Sequence, residues 1–129
     1  MVKGLKRFLL VDDSKATNFF NKTVIERSGV PAEILIAENG EEALNVVTSE
    51  QSPDIIFLDI NMPVMNGWNF ISEYQQLENK YKKGIIILML GTTLSIEDEE
   101  KANNTPEIKE FREKMLTKEI VEDIVSNYF

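Results

Sequence analysis

The chain has 129 residues and a formal net charge of −8, from 14 Lys and Arg against 22 Asp and Glu, and it contains neither Cys nor His. Those absences exclude a disulfide framework, a thiol nucleophile, a histidine general base and any Cys- or imidazole-ligated metal, which leaves only oxygen-held hard cations such as Mg²⁺, Ca²⁺ or Mn²⁺. The acidic balance argues against non-specific nucleic-acid binding and anionic membranes. No segment approaches the roughly 18–20 apolar residues of a membrane span, so a cytoplasmic protein with one domain over residues 1–129 is expected.

The first β-rich run, Arg7–Val11, reads as a strand through its apolar Phe8–Val11 and ends in the acidic pair Asp12-Asp13. A helix follows, with Ala16, Phe20 and Val24 recurring at i+4 as its expected buried stripe. Gly29-Val30-Pro31 breaks the chain before a second strand, Ala32–Ala37. Asn39 stands three residues before Glu42, a capping-box spacing, and Ala43, Val46 and Val47 mark the next helix.

After Ser52-Pro53 a third strand, Asp54–Leu58, runs into Asp59 and Asn61. Asn66-Gly67 turns into a helix striped by Phe70, Ile71, Tyr74 and Leu77, with Trp68 at its start as a packing residue. The Lys80–Lys83 patch reads as solvated loop. The longest apolar run, Ile85–Leu90, is the fourth strand, and Gly91-Thr92-Thr93 follows it. Ser95 caps a polar helix through Ile96 to Asn103. A weak fifth strand near Ile108–Phe111 precedes Lys114, and Thr117 opens a last helix carrying Ile120, Val121, Ile124, Val125 and Tyr128.

Strand and helix therefore alternate five times. Most strands are continuously apolar, as strands covered on both faces are, which argues an α/β domain with a parallel sheet between two helix layers. In such sheets ligands bind beyond the carboxyl ends of the strands. Asp12, Asp13, Asp59, Asn61, Thr92 and Lys114 all fall there. Two carboxylates about 5 Å apart repel by roughly 3 kcal/mol at an effective dielectric of about 20, so the cluster calls for a cation. Mg²⁺ suits it, taking one or two carboxylates and leaving room for a phosphoryl oxygen, with Mn²⁺ a substitute. One carboxylate could then attack phosphorus to form an aspartyl phosphate, with Lys114 and a Thr hydroxyl neutralising the phosphoryl oxygens.

The stretch Phe8-Leu9-Leu10-Val11-Asp12-Asp13-Ser14 resembles the first strand of bacterial response-regulator receiver domains. Asp54 to Gly67, with Leu58-Asp59-Ile60-Asn61-Met62-Pro63 at its centre, is similar to their phosphorylation segment nearly throughout. The resemblance spans about Leu5 to Tyr128. It implies a flavodoxin-like strand order 2-1-3-4-5 and a chemotaxis-regulator-like signalling module. Asp59 would be the phosphoacceptor. Asp13 and Asp59, with Asp12 assisting and the Asn61 backbone carbonyl added, would hold Mg²⁺. Lys114 would contact the phosphoryl group, and Phe111 would be the aromatic switch. The implied donor is a histidine kinase or histidine phosphotransfer protein. With no output domain in 129 residues, the output would be protein–protein contact with an unknown partner, or onward phosphotransfer. The chain would be no enzyme beyond slow autodephosphorylation.

Two positions depart from the family pattern. The switch hydroxyl usually follows the fourth strand directly, where either Gly91 or Thr92 can be placed; Thr92 is favoured. Met115 replaces the usual proline after the lysine. A cis bond before a non-proline residue costs about 3 kcal/mol, so a trans Lys114–Met115 bond with a displaced or mobile Lys114 is expected. These departures motivate an alternative in which the fold binds partners without phosphate. A true Mg²⁺ enzyme acting on small phosphoesters is a third class, disfavoured because no Gly-rich phosphate loop follows the first strand.

Overall fold

The computed structural model describes residues 6–60, 66–91 and 94–128. Five strands alternate with five helices: β1 (Lys6–Val11), α1 (Lys15–Arg27), β2 (Ala32–Ala37), α2 (Gly40–Val47), β3 (Ile55–Asp59), α3 (Gly67–Gln75), β4 (Ile85–Leu90), α4 (Ile96–Asn103), β5 (Ile108–Glu113) and α5 (Lys118–Tyr128). All strand pairs are parallel and the sheet order is β2-β1-β3-β4-β5. This is the doubly wound α/β, flavodoxin-like architecture expected from the sequence.

The pleat sorts the apolar strand residues between two cores, since successive side chains point to opposite faces. Leu9, Val11, Ile56, Leu58, Ile86 and Leu88 pack with Ala43 and Val47 of α2, Phe70, Ile71 and Tyr74 of α3, and Ala102 of α4. Phe8, Leu10, Ile55, Phe57, Ile87 and Met89 pack with Ile25 of α1, Leu116, and Val121, Ile124 and Val125 of α5. β3 is buried along its whole length. The edge strands β2 and β5 are only partly covered, and they carry the charged residues Glu33, Lys109, Glu110, Arg112 and Glu113. Charge on an edge strand discourages pairing with a further chain.

The helix starts are capped as the sequence indicates. Asn39 Oδ1 accepts the Glu42 backbone N–H at 2.8 Å, and Ser95 Oγ accepts that of Asp98 at 3.1 Å. Thr117 Oγ1 accepts the Ile120 N–H at 3.1 Å. Each satisfies one of the backbone donors a helix leaves free at its first turn.

Helix α1 departs from its expected stripe. Ala16 is exposed and Phe20 is 46% exposed, with Phe19 beside it at 60%. The helix instead buries Asn18, Asn21 and Ile25. Hydrogen bonds override hydrophobicity here: Asn18 Nδ2 donates to the Asp12 carbonyl at 2.8 Å, and Asn21 Oδ1 accepts the Leu116 N–H at 2.9 Å. A buried amide that finds such partners avoids the cost of losing water. Strand β5 also runs two residues beyond the expected Phe111. It does so past an irregularity in register, where Ile86 pairs with Ile108 but Ile87 pairs with Glu110.

Candidate phosphoryl and metal site at the strand ends

The site lies where β1, β3 and β5 end. At the end of β1 the chain turns directly into α1. Asp12 Oδ1 accepts the Ser14 N–H at 2.9 Å, and Ser14 Oγ in turn caps α1 by accepting the Thr17 N–H at 3.1 Å. This turn buries Asp12 and leaves Asp13 exposed. Asp59 is the last residue of β3 and is buried among apolar strand neighbours. The backbone behind it is closely packed: Gly67 N–H donates to the Ile60 carbonyl at 2.8 Å. A Cβ at Gly67 would stand 2.7 Å from Ile60 Cα and 2.9 Å from the Asp59 carbonyl oxygen, so only glycine lets α3 begin this close to the site.

Carboxylate oxygens of Asp12, Asp13 and Asp59 all lie within 4.8 Å of one another. Such an all-oxygen, anionic donor set fits a small hard divalent cation. Lys114 meets the same cluster from the opposite side of the sheet's midline: Nζ is 3.1 Å from Asp12 Oδ2 and 3.2 Å from Asp59 Oδ2. Burial of the ammonium works against its charge, but the hydrogen bonds to Asp12 and Asp59 outweigh it and hold Lys114 above the usual lysine range. Three carboxylates face one ammonium, so the cluster keeps a negative excess that a metal ion can satisfy.

The expectation for Lys114 divides. No cis peptide bond occurs among the described residues, so the Lys114–Met115 bond is trans as expected before a non-proline residue. The lysine is nonetheless not displaced. Its backbone N–H donates to the Leu90 carbonyl at 2.9 Å, and two residues later Leu116 is tied to Asn21. These ties bring the ammonium to the carboxylates without a proline turn.

Gly91 follows β4 directly. A Cβ built on it would touch Lys114 Cδ at 3.7 Å, an ordinary contact, so Gly91 is the residue beside the lysine stem at this strand end. Thr92 and Asn61 lie outside the described residues. Gly91, Phe111 and Lys114 share the wall of an open cleft of about 620 Å³ with Leu90, Leu94 and Glu99. Phe111 is half-buried and packs against the core on the α2–α4 side. Trp68 packs against that core too, and the Lys101 ammonium of α4 stands 5.1 Å from its ring centroid.

The structure thus brings together Asp12, Asp13, Asp59 and Lys114, and sets Phe111 at the adjoining cleft. Asn18 and Asn21 are the residues the sequence alone does not mark. Their only local signal is two asparagines at i and i+3, which share one helix face despite the low helix propensity of Asn.

Comparisons with known proteins agree with this geometry. The profile of the response regulator receiver domain family matches residues 8–124. A two-component response regulator (number 24) of Arabidopsis thaliana is 32% identical over 84% of this chain and 73% of its own length. The hybrid signal transduction histidine kinase A of Dictyostelium discoideum is 35% identical over 70% of this chain, which spans only 4% of that protein. A two-component response regulator of Cytophaga hutchinsonii superposes with a TM-score of 0.83 at 29% identity, covering 98% of both chains. The chemotaxis regulator CheY4 of Vibrio cholerae shares the fold with a TM-score of 0.77 over 98% of this chain and all of its own, at 24% identity. With its strand order, its acidic triad and its Lys114 contact, the chain belongs to the response regulator receiver domains of two-component signalling.

Proposed function

We propose that this receiver accepts a phosphoryl group on Asp59 in the presence of Mg²⁺ and signals by protein–protein contact. The observation that carries the reading is the approach of Lys114 to the same Asp59 oxygen set that Asp12 and Asp13 complete. Asp12, Asp13 and Asp59 would hold the metal, with the Asn61 carbonyl as a further donor. Bound there, Mg²⁺ would neutralise charge on the phosphoryl oxygens.

The chain's own groups have separate tasks. An Asp59 carboxylate oxygen attacks the phosphorus of a phosphohistidine or acyl phosphate. The new O–P bond forms as the bond to the donor nitrogen or oxygen breaks, and the donor leaves with that electron pair. Lys114, already within hydrogen-bond range, turns from the carboxylates toward the phosphoryl oxygens. The closely packed backbone at Gly67 and Ile60 keeps Asp59 oriented during the transfer. Histidine kinases or histidine phosphotransfer proteins are the proposed donors, and a cytoplasmic setting suits them. No helix among the described residues is long and apolar enough to cross a membrane.

Phosphorylation adds charge and acceptor oxygens beside the cleft of Gly91 and Phe111, so α4, β5 and α5 are the proposed responding surface. The alternative of a phosphate-independent binding module draws on Gly91, which offers no hydroxyl beside Lys114. Beryllofluoride separates the two. A Mg²⁺-dependent bound fluorine resonance in the wild type, absent from Asp59→Asn, supports phosphorylation with a structural response when amide signals of α4 shift with it. A wild type that binds no beryllofluoride favours the binding module.

A further inference from the structure

Helix α1 carries two asparagines on its buried face, three residues apart, and each ties down a different side of the site. Asn18 holds the carbonyl of Asp12, at the acidic end of β1. Asn21, only 4% exposed, reaches the segment after β5 and accepts the Leu116 N–H at 2.9 Å. That bond joins residues 95 positions apart in sequence.

The segment it grips is the one that carries Lys114. On its upstream side Lys114 N–H is bonded to the Leu90 carbonyl. On its downstream side the Leu116 side chain is buried in the α1–α5 core. Between them Met115 is 39% exposed and supplies no proline ring to limit the backbone. The peptide entering Leu116 is therefore fixed by one side-chain acceptor. Its orientation decides how the chain leaves Lys114, and hence where the four-carbon stem sets the ammonium.

We propose that Asn21 is a positioning residue for Lys114: by accepting the Leu116 N–H it sets the ammonium between Asp12 and Asp59. The consequence for phosphoryl transfer rests on the function proposed above; the geometric part does not.

The test uses the metal-free full chain with ¹³C-labelled lysine, the Lys114 ε-methylene signal being assigned with Lys114→Arg. In the wild type its two protons are expected at separate shifts, as for an immobilised side chain. Asn21→Leu removes the acceptor at similar volume, and Asn21→Ala serves if that variant does not fold. Either is expected to collapse the Lys114 signal into that of the solvated lysines, while Asn21→Asp, which keeps an acceptor oxygen, retains the separation. An unchanged Lys114 signal in a folded Asn21→Leu or Asn21→Ala chain overturns the proposal, as does its collapse in Asn21→Asp. With an acyl phosphate donor and Mg²⁺, Asn21→Leu should slow transfer about tenfold in the Lys114 background, a misplacement effect. It should slow transfer no further when Lys114 is already alanine; equal slowing in both backgrounds also overturns the proposal. A wild type that takes up no phosphoryl group refutes the phosphoacceptor reading, and the lysine signal still decides the role of Asn21.

Discussion

The Lys114 ammonium stands 3.2 Å from Asp59 although the residue that follows it is methionine. The same ammonium is 3.1 Å from Asp12, so it bridges the ends of β1 and β3 from the end of β5. In the metal-free chain it is a counter-ion to two buried carboxylates. Breaking a buried pair by removing one partner leaves an uncompensated charge and costs about 3–5 kcal/mol at full burial, less here because Lys114 retains a quarter of its side-chain exposure. Lys114→Ala is therefore expected to lower stability in urea without Mg²⁺ and to lose less in its presence. Equal losses in the two conditions would mean that lysine and metal do not share the carboxylates.

A second expectation concerns the negative excess of the site. Asp13 is exposed, and among the described residues no ion pair joins it to a cation. Asp13→Asn should stabilise the metal-free chain by about 1 kcal/mol, as relief of like-charge repulsion at a partly solvated site. It should also remove most of the stabilisation by Mg²⁺. For the wild type that stabilisation is about 1.4 kcal/mol at ten times the dissociation constant. Urea unfolding with and without Mg²⁺ checks both, and unaltered Mg²⁺ stabilisation in Asp13→Asn would remove Asp13 from the ligand set.

Glycine substitutions should behave oppositely on the two sides of the site. At Gly67 a methyl group would meet backbone atoms of Ile60 and Asp59 at 2.7 and 2.9 Å. Gly67→Ala should cost about 1–3 kcal/mol, the usual range for overpacking, and slow phosphoryl uptake by shifting Asp59. At Gly91 the nearest atom among the described residues is the flexible Lys114 stem at 3.7 Å. Gly91→Ala should be neutral or stabilise by up to about 1 kcal/mol through the unfolded chain. Thermal or urea denaturation of the pair provides the comparison.

At high pH two tyrosines should report the fold. Burial, with the nearby Glu107 charge added, pushes the Tyr74 phenol up to about 12. Burial and the hydrogen bond from its hydroxyl to Glu110 push Tyr128 up to about 12 as well. Both groups favour the neutral form in the folded state. Their contribution is therefore complete below the unfolded tyrosine value near 10 and is lost as pH rises toward 12. Stability should fall across that window, less steeply in Tyr128→Phe. Tyrosinate absorbance during the titration checks the assignment.

The sheet and the acidic site could be read from the sequence because both are local signals. β1 is apolar from Phe8 to Val11, β3 from Ile55 to Leu58 and β4 throughout, and Asp12 and Asp13 stand directly after β1 while Asp59 closes β3. Two features could not be read this way. The phenylalanines of α1 suggest a buried stripe, yet Asn18 is buried by its bond to the Asp12 carbonyl and Asn21 by its bond to the Leu116 N–H, contacts between elements that hydrophobic periodicity does not encode. The sequence suggests a displaced Lys114 because the ties of its segment, Leu90 to Lys114 and Asn21 to Leu116, come from β4 and α1. Hydrogen bonds between different elements override local preference in both places.

The most direct measurement is the intact mass of the wild type and of Asp59→Asn after incubation with a small acyl phosphate, with and without Mg²⁺. The expected result is a gain of one phosphoryl group on the wild type with Mg²⁺ only, and none on Asp59→Asn. No gain on the wild type, or an equal gain on Asp59→Asn, would contradict the assignment of Asp59 as the phosphoacceptor.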